Sequence, residues 1–187
     1  LSLFTMAQLY REMANYEKAE PLFKKALEIN RNFYNSDNSI IASNIYGLGN
    51  YYLHVGEWKK AEKLLNHALK IYRQLFTTDH PHIAKCIINL ADSYFEMGLY
   101  QKAKPLYKEG LEMIRDIYKK DDPDLATSLN NIANFYHITG EYAFAEKFYK
   151  EAMEINKRIF KGDHPELAKT IFNLAGMYLR RGNFEKS

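Results

Sequence analysis

The chain has 187 residues, of which 47% are apolar, and this is enough to build a sizeable hydrophobic core. Its 26 lysine and arginine residues nearly balance 23 aspartate and glutamate residues, so the net charge of +3 provides no broad basic field for nucleic-acid binding. The single cysteine, Cys86, excludes an intramolecular disulfide and suits a reducing compartment. The longest apolar runs are too short for a bilayer span, and Leu1 to Tyr10 lacks the cationic start of a signal peptide. We therefore expect a cytoplasmic protein with neither a nucleic-acid nor a membrane partner.

Tyrosine recurs at one interval of 42 residues through the whole chain, at Tyr10, Tyr52, Tyr94, Tyr136 and Tyr178. A small residue precedes each tyrosine by three positions, at Ala7, Gly49, Ala91, Ala133 and Ala175. A repeat of this length cannot bury its apolar face alone, so we expect successive copies to stack on one another.

The first segment of each repeat is predicted to be an amphipathic helix. In the second copy, apolar and small residues fall at i, i+3, i+4, i+7 and i+10, at Ile45, Leu48, Gly49, Tyr52 and Val55. The small residue allows two helix backbones to approach closely, and the tyrosine ring fills the gap one turn later. We therefore expect these columns to be core in every copy.

A glycine follows the apolar stripe in four copies, at Gly56, Gly98, Gly140 and Gly182, and Ala14 occupies the same column in the first. A helix end favours a residue that can adopt positive φ, so the first helix of each repeat is predicted to end there. A second amphipathic helix follows within about three residues and continues to paired apolar residues such as Leu75 and Phe76.

The connector after each second helix carries an aspartate, at Asp37, Asp79, Asp121 and Asp163. Two residues later come Ser39, Pro81, Pro123 and Pro165. The aspartate or the residue after it can cap the next helix, and proline fits the first helical turn because it has no N–H to lose there. His80 occupies this capping column, so we predict a structural role for it in preference to a metal site with His82 and Cys86.

These elements predict an all-α solenoid of antiparallel helical hairpins, with about nine helices in one array over residues 1–187. The repeats cover approximately residues 1–38, 39–80, 81–122 and 123–164, with a partial repeat at 165–187. No polar cap is visible at either end, so we expect the chain to be part of a longer array. Leu174, Tyr178 and Phe184 are expected to leave an apolar end open to self-association.

Ala7, Tyr10, Ala19, Phe23 and Ala26 together resemble the pattern of the tetratricopeptide repeat family, and the later copies follow it. The usual period is about 34 residues, and the extra residues here lie in the second helix and connector. In its longer repeat, and in short sequence segments such as Asp79-His80-Pro81, the chain resembles the kinesin light chain type of the family. The resemblance implies a right-handed superhelix whose first helices line a concave groove. It also implies a non-catalytic scaffold or adaptor that binds protein, without a cofactor or metal.

Positions of the first helix outside the core stripe vary between copies and would lie on the groove. Their aromatic and amide side chains suit an extended peptide or a partner helix. Asn89, Asn131 and Asn173 lie 42 residues apart on one surface, and an amide can hold a peptide main chain in register. Alternatively, each asparagine bonds a neighbouring helix within the array. The candidate partner-binding residues are Tyr46, Asn50, Asn89, Asp92, Phe95, Asn130, Asn131, Asn134, His137, Phe172 and Asn173.

Two other classes of function have to be compared with groove binding, an enzyme and a structural or regulatory spacer. No combination of histidine, serine, cysteine and acidic residues has the spacing of a catalytic site, so the chain is not expected to be an enzyme. A structural or regulatory spacer is the alternative, in which the array packs on another domain or a second copy through its edges and ends. Its candidate contacts are variable lysines of the second helices: Lys24, Lys25, Lys59, Lys60, Lys102, Lys147 and Lys150.

Overall fold

The structure, a computed structural model, describes residues 2–34, 36–118, 121–162 and 164–184, without the side chains of residues 183 and 184. Within these ranges it contains nine α-helices and no β-strand, which confirms the predicted all-α fold. The helices are α1 (Leu3–Glu12), α2 (Tyr16–Phe33), α3 (Ser39–His54), α4 (Trp58–Leu75), α5 (Pro81–Glu96), α6 (Tyr100–Ile117), α7 (Pro123–Ile138), α8 (Tyr142–Ile159) and α9 (Pro165–Phe184). In this part of the chain, no helix has both the length and the hydropathy to cross a bilayer.

The chain divides into two compact units, an N-terminal unit of residues 1–110 and a C-terminal unit of residues 111–187. In the N-terminal unit α1 packs on α2, α2 on α3, α3 on α4 and α4 on α5, and α3 also contacts both α1 and α5. In the C-terminal unit α7 packs on α8, α8 on α9, and α7 contacts α9. Within each unit, the first helices of successive repeats are therefore neighbours.

In the turn inside each hairpin, the main-chain carbonyl of the recurrent tyrosine accepts the hydrogen bond that closes the turn. The main-chain N–H five residues later donates to it at 2.8–2.9 Å, and these donors are Asn15, Glu57, Leu99 and Glu141. The residue before each donor has positive φ, for example +79° at Gly56 and +55° at Ala14. This is the geometry of a Schellman cap, which needs a left-handed residue at this place. The predicted helix ends are correct in these four turns.

The prediction that the last first helix ends at Gly182 is wrong, because α9 continues through Gly182 to Phe184. In the hairpins α1–α2, α3–α4 and α7–α8 the turn leads into a second helix that packs back on the first. A glycine permits a left-handed turn but does not require one, so the helical conformation persists when no such packing is described.

In each connector, the residue that follows the recurrent aspartate position caps the next helix with its side chain. Asn38 accepts from the main-chain N–H groups of Ile40 and Ile41, and Asp122 accepts from that of Asp124 at 2.8 Å. His80 Nδ1 and His164 Nδ1 do the same for α5 and α9, at 3.2 and 3.3 Å. His80 therefore has the structural role expected from the sequence, whereas Asp163 lies outside the described residues.

The core is built from the small residues and the rings beside them. Ala7, Gly49, Ala91 and Ala133 are buried, and a Cβ atom added at Gly49 would lie 3.1 Å from Leu65. The tyrosine three residues later bonds the preceding second helix: Tyr52 donates to Glu20 at 2.7 Å and Tyr94 to Glu62 at 2.8 Å. These columns therefore combine close backbone approach with a repeated hydrogen bond between repeats.

The equivalent positions of the fifth copy, in α9, are not part of the core, so the prediction for that copy is wrong. Ala175 and Tyr178 are exposed, and the buried residues among the described side chains of α9 are Met177 and Thr170, which accepts from Asn156 on α8. The stripe is covered by a second helix in the other hairpins, and no second helix is described after α9. Tyr178 nevertheless donates to Glu146 at 2.7 Å, as its counterparts do.

Candidate interaction surface

The predicted groove residues of the N-terminal unit lie where neighbouring first helices meet. Asn89 Nδ2 on α5 donates to Tyr46 Oη on α3 at 3.1 Å, and the two residues are 43 positions apart. Gly47 on α3 occupies the equivalent place against Phe4 on α1, so close that an added Cβ atom would lie 2.5 Å from the Phe4 ring. Burial raises the pKa of Tyr46, so its hydroxyl stays protonated. The structure thus brings Tyr46 and Asn89 together and pairs them with each other.

The other predicted residues of this unit also have partners within the chain. The Arg11 guanidinium donates to Asn50 Oδ1. Tyr107 Oη donates to Asp92 at 2.5 Å, and the Phe95 ring lies 5.8 Å from that of Tyr100. The five predicted residues of this unit, Tyr46, Asn50, Asn89, Asp92 and Phe95, therefore lie on α3 and α5, and each has a contact within the chain.

In the C-terminal unit the candidate surface is formed by α7 and α9. Asn173 Nδ2 on α9 donates to Asn130 Oδ1 on α7 at 3.3 Å, again 43 positions away. Asn134 Oδ1 accepts from Tyr149 Oη at 2.5 Å. Asn131 is half-buried, whereas Phe172 is 78% exposed. The asparagine pairing that the sequence left open as an alternative therefore occurs at Asn89 and Asn173.

Two polar atoms on α7 are shielded from solvent and lack a hydrogen-bond partner among the described residues. They are Nδ2 of Asn130, whose side chain is only 3% exposed, and Nε2 of His137. Burial, with the positive charge of Arg180 nearby, lowers the pKa of His137 below its ordinary value and keeps the imidazole neutral at pH 7. Buried polar groups are almost always paired, so these two atoms require an explanation.

Sequence reasoning missed the part that the second helices play in this surface. Tyr107 and Tyr149 send hydroxyl groups from α6 and α8 to the first helix of the same hairpin, 15 residues earlier. The recurrence of a tyrosine together with Asp92 or Asn134 at that spacing could have indicated it. No set of three His, Cys, Asp or Glu side chains is placed to hold a metal ion, as far as the chain is described.

Several solved structures share this fold. A Podosopora anserina kinesin light chain-type protein with nearly identical TPR-like repeats is 19% identical over 99% of this chain and 87% of its own, with a TM-score of 0.77. BtubC (BKLC) from P. vanneervenii is 22% identical over 98% and 73%, with a TM-score of 0.79. A Rap protein complexed with competence and sporulation factor is 19% identical over 98% of this chain but 49% of its own, with a TM-score of 0.84. No curated protein matches the chain.

The tetratricopeptide repeat profile matches residues 1–73, 40–116 and 124–187, which together span most of the sequence. This profile and the shared fold indicate a scaffold for protein–protein interaction, and they indicate no enzymatic family. The period, the hairpins and the profile agree, and the chain belongs to the tetratricopeptide repeat family.

Proposed function

We propose that the surface formed by the first helices binds an extended segment of a partner protein, with α7 pairing to the main chain of that segment. The observation that carries this proposal is the pair of unpartnered polar atoms, Asn130 Nδ2 and His137 Nε2. An amide nitrogen needs an acceptor, and the neutral imidazole at Nε2 can take either a donor or an acceptor. A peptide main chain offers both kinds of group.

The spacing of the two residues supports an extended chain. Asn130 and His137 are seven positions apart, so they lie on the same side of α7 and about 10 Å apart along its axis. An extended peptide advances about 3.3 Å per residue, so about three of its residues would span the two atoms. Both atoms are shielded in the unbound protein, and side-chain rotamer changes of the kind common at interfaces would bring them to the partner.

Exposed apolar side chains on α9 would supply burial beside these polar groups. Phe172 is 78% exposed and Leu179 is 72% exposed, and they too are seven positions apart. Apolar side chains that flank amides are typical of sites that hold an extended peptide. The Rap protein of similar fold was solved complexed with competence and sporulation factor, which supports the use of this architecture to hold a ligand.

A protein partner suits the surface charges better than nucleic acid or an anionic membrane does. Several lysines of the second helices are already paired: Lys24 with Glu20 at 2.7 Å, and Lys150 with Glu146 at 2.6 Å. Lys60 lies over the Tyr52 ring at 5.2 Å. Because neighbouring acids offset these cations, a broad basic field does not arise from them. The free and buried thiol of Cys86 suits a cytoplasmic location.

The proposal can be tested with a phage-displayed library of random short peptides selected on the wild-type protein. Peptides that bind would be measured by calorimetry against wild type and against the double variant Asn130→Leu/His137→Leu. We expect at least a tenfold loss of affinity in the variant, because two hydrogen bonds contribute about 1 kcal/mol each. Crosslinks from the peptides should map to α7 and α9.

The matched control is Asn66→Leu, the same chemical change on the exposed side of α4, where Asn66 donates to the carbonyl of Glu62 at 3.0 Å. Its affinity should equal that of wild type. Circular dichroism melting would show that each variant is folded. Unchanged peptide affinity in a folded Asn130→Leu/His137→Leu protein would refute the proposal.

A second candidate function is packing of the array on another domain or on a second copy. It is favoured by the apolar surface of α9, where Ile171 and Tyr178 are exposed together with Phe172 and Leu179. Contiguous exposed apolar groups of this kind commonly mark protein contacts. If this candidate is correct, light scattering should show a mass that rises with concentration, and Phe172→Asp/Leu179→Asp should restore the monomer. A monomer at all concentrations would exclude self-association.

A further inference from the structure

A cavity of about 490 Å³ opens in the N-terminal unit. We call it the α1–α3 cavity. Its apolar wall includes Phe4, Ile29 and Ile40, and its polar wall includes Asn30, Ser43 and Asn44. The volume lies within the range of about 300–1,000 Å³ that is typical of small-ligand sites.

The wall of the α1–α3 cavity carries no formal charge at neutral pH. Among the described residues that line it there is no Asp, Glu, Lys or Arg. Its one titratable side chain is His82, and partial burial lowers the pKa of this imidazole, with His80 and Lys85 lowering it further. A charged ligand group would lose its hydration here without meeting a counter-charge, which is costly. The cavity therefore favours a neutral ligand.

One acceptor in the wall has no partner. Asn44 is only 3% exposed, and its Nδ2 donates to the Ile40 carbonyl at 2.7 Å, which fixes the orientation of the amide. Asn44 Oδ1 is then left without a hydrogen-bond partner among the described groups. The neighbouring Ser43 hydroxyl already pairs with Tyr72 Oη at 2.9 Å. A ligand that satisfies this site must therefore donate a hydrogen bond.

The helices around the cavity restrict which hydrogen-bond donor group a ligand can carry. α1 begins at Leu3 and α3 at Ser39, and both residues line the cavity, so two helix N-termini with their positive dipole ends adjoin it. A cationic donor such as an ammonium group is disfavoured there, and an anion would face the lone pairs of Asn44 Oδ1. A neutral O–H or N–H group remains.

The apolar wall indicates the body of the ligand. The Phe4 ring packs edge-on against Phe23, with centroids 5.7 Å apart, and it presents an aromatic surface to the cavity together with two isoleucines. Aromatic rings pair well with such surfaces. We propose that the α1–α3 cavity binds a neutral aromatic ring bearing one hydroxyl group. The hydroxyl donates to Asn44 Oδ1 once the neighbouring side chains that shield this atom change rotamer, and the ring packs against Phe4, Ile29 and Ile40.

This chemistry has two possible sources, the side chain of a tyrosine in a partner protein and a free phenolic molecule. The proposal does not depend on the α7–α9 surface. It can be tested by NMR titration of the protein with three probes, p-cresol, toluene and 4-methylanisole. All three have similar rings, but only p-cresol can donate a hydrogen bond. We expect p-cresol to bind at least about fivefold more tightly than the other two, with shifts at Phe4 and Ile40.

Two variants test the assignment of residues. Asn44→Leu should abolish the preference for p-cresol while leaving toluene binding intact. Ile29→Trp changes a side chain that is 45% exposed at the rim, so it should fold normally and weaken all three probes by filling the cavity. If Asn44→Leu does not fold, the probe series and Ile29→Trp still decide. Equal binding of p-cresol and toluene, or unchanged binding in Ile29→Trp, would overturn the proposal.

A blocked Gly-Tyr-Gly peptide distinguishes the two sources. If it binds at least as tightly as p-cresol and competes with it, the site takes a tyrosine side chain. If only p-cresol binds, the site takes a free phenol. Binding of neither probe, in wild-type protein shown to be folded by its NMR spectrum, would refute the site altogether.

Discussion

The connector between α4 and α5 and the one between α8 and α9 share a capping histidine and a phenylalanine, and they differ at several other side chains. In both, a histidine caps the next helix and stacks on a phenylalanine: His80 on Phe76 at 3.6 Å, and His164 on Phe160 at 3.5 Å. Two residues later the first connector has His82 and the second has Glu166. The same kind of capping histidine is therefore followed two residues later by a basic side chain in the N-terminal unit and by an acidic one in the C-terminal unit.

The surroundings follow this difference. In the N-terminal unit His82 stacks on Tyr72 at 5.0 Å and lies 5.1 Å from His80, which makes a cluster of four rings with Phe76. In the C-terminal unit the counterpart of Tyr72 is Asn156, whose amide lies 3.4 Å from Thr170 Oγ1. A ring cluster thus occupies in one connector the place that a small polar network occupies in the other.

The ring cluster should make the first connector sensitive to acid. Burial lowers the pKa of both His80 and His82 below the ordinary value of 6.5. A histidine whose pKa is depressed by folding stabilises the fold above the unfolded pKa, and this contribution is lost as pH falls through the folded pKa. Protonation would also block the cap at His80 Nδ1 and place positive charge at the N-terminus of α5, near Lys85. We therefore expect the residue beside the cap, His82 or Glu166, to set the response of each connector to pH.

The largest expected effect comes from removing the ring under each histidine. Phe76→Ala should lower the free energy of unfolding by about 2–3 kcal/mol, and Phe160→Ala by less, because Phe76 also stacks on Tyr72 at 6.1 Å. Urea denaturation at neutral pH would measure both. An equal loss in the two variants would show that the four-ring cluster adds nothing beyond a single stack.

Exchanging the residue types at positions 82 and 166 should move the loss of amide protection at low pH from the first connector to the second. On going from about pH 7.5 to about pH 5, wild-type amide protection against hydrogen exchange should fall more at the start of α5 than at the start of α9. His82→Glu should reduce this fall by about 1 kcal/mol, because a carboxylate in the first turn is favourable. Glu166→His is the reciprocal variant and should create the fall in α9. If the difference between the connectors survives both exchanges, residue 82 is not its origin.

The smallest expected effect is that of replacing the capping histidine itself. Asparagine caps α3 through Asn38, so His80→Asn and His164→Asn should each change the free energy of unfolding by less than about 1 kcal/mol at neutral pH. Thermal melts at about pH 7.5 and about pH 5 would show whether His80→Asn also removes part of the acid response. A large loss at neutral pH would mean that the stack, not the cap, is the main role of His80.

Much of the fold could be predicted from the sequence because each repeat restates the same local chemistry. The tyrosine interval located the helices, and the glycine column located three turns, at Gly56, Gly98 and Gly140, with Ala14 in the same column at a fourth. Gly182 was predicted wrongly because a residue type shows what a backbone can adopt, whereas packing of the following segment decides whether it does. The exposure of Ala175 has the same origin.

The candidate surface was less accessible to sequence reasoning. A repeat column places Asn89 and Asn173 at equivalent positions of their helices, but the partner of each lies 43 positions earlier and not 42. That offset depends on how neighbouring helices nest, which the period alone does not contain. The unpartnered atoms of Asn130 and His137 could not be predicted either, since shielding is a property of the assembled structure.

The offset between neighbouring first helices has a consequence for how such a protein can be re-engineered. Because Asn89 bonds Tyr46, and Asn173 bonds Asn130, each of these hydrogen bonds joins two repeats. Swapping a single hairpin for one from another array would replace half of such a pair and leave the other half mismatched. Exchangeable cassettes in this chain should therefore contain at least two successive hairpins, so that bonded residues such as Tyr46 and Asn89 lie in the same cassette.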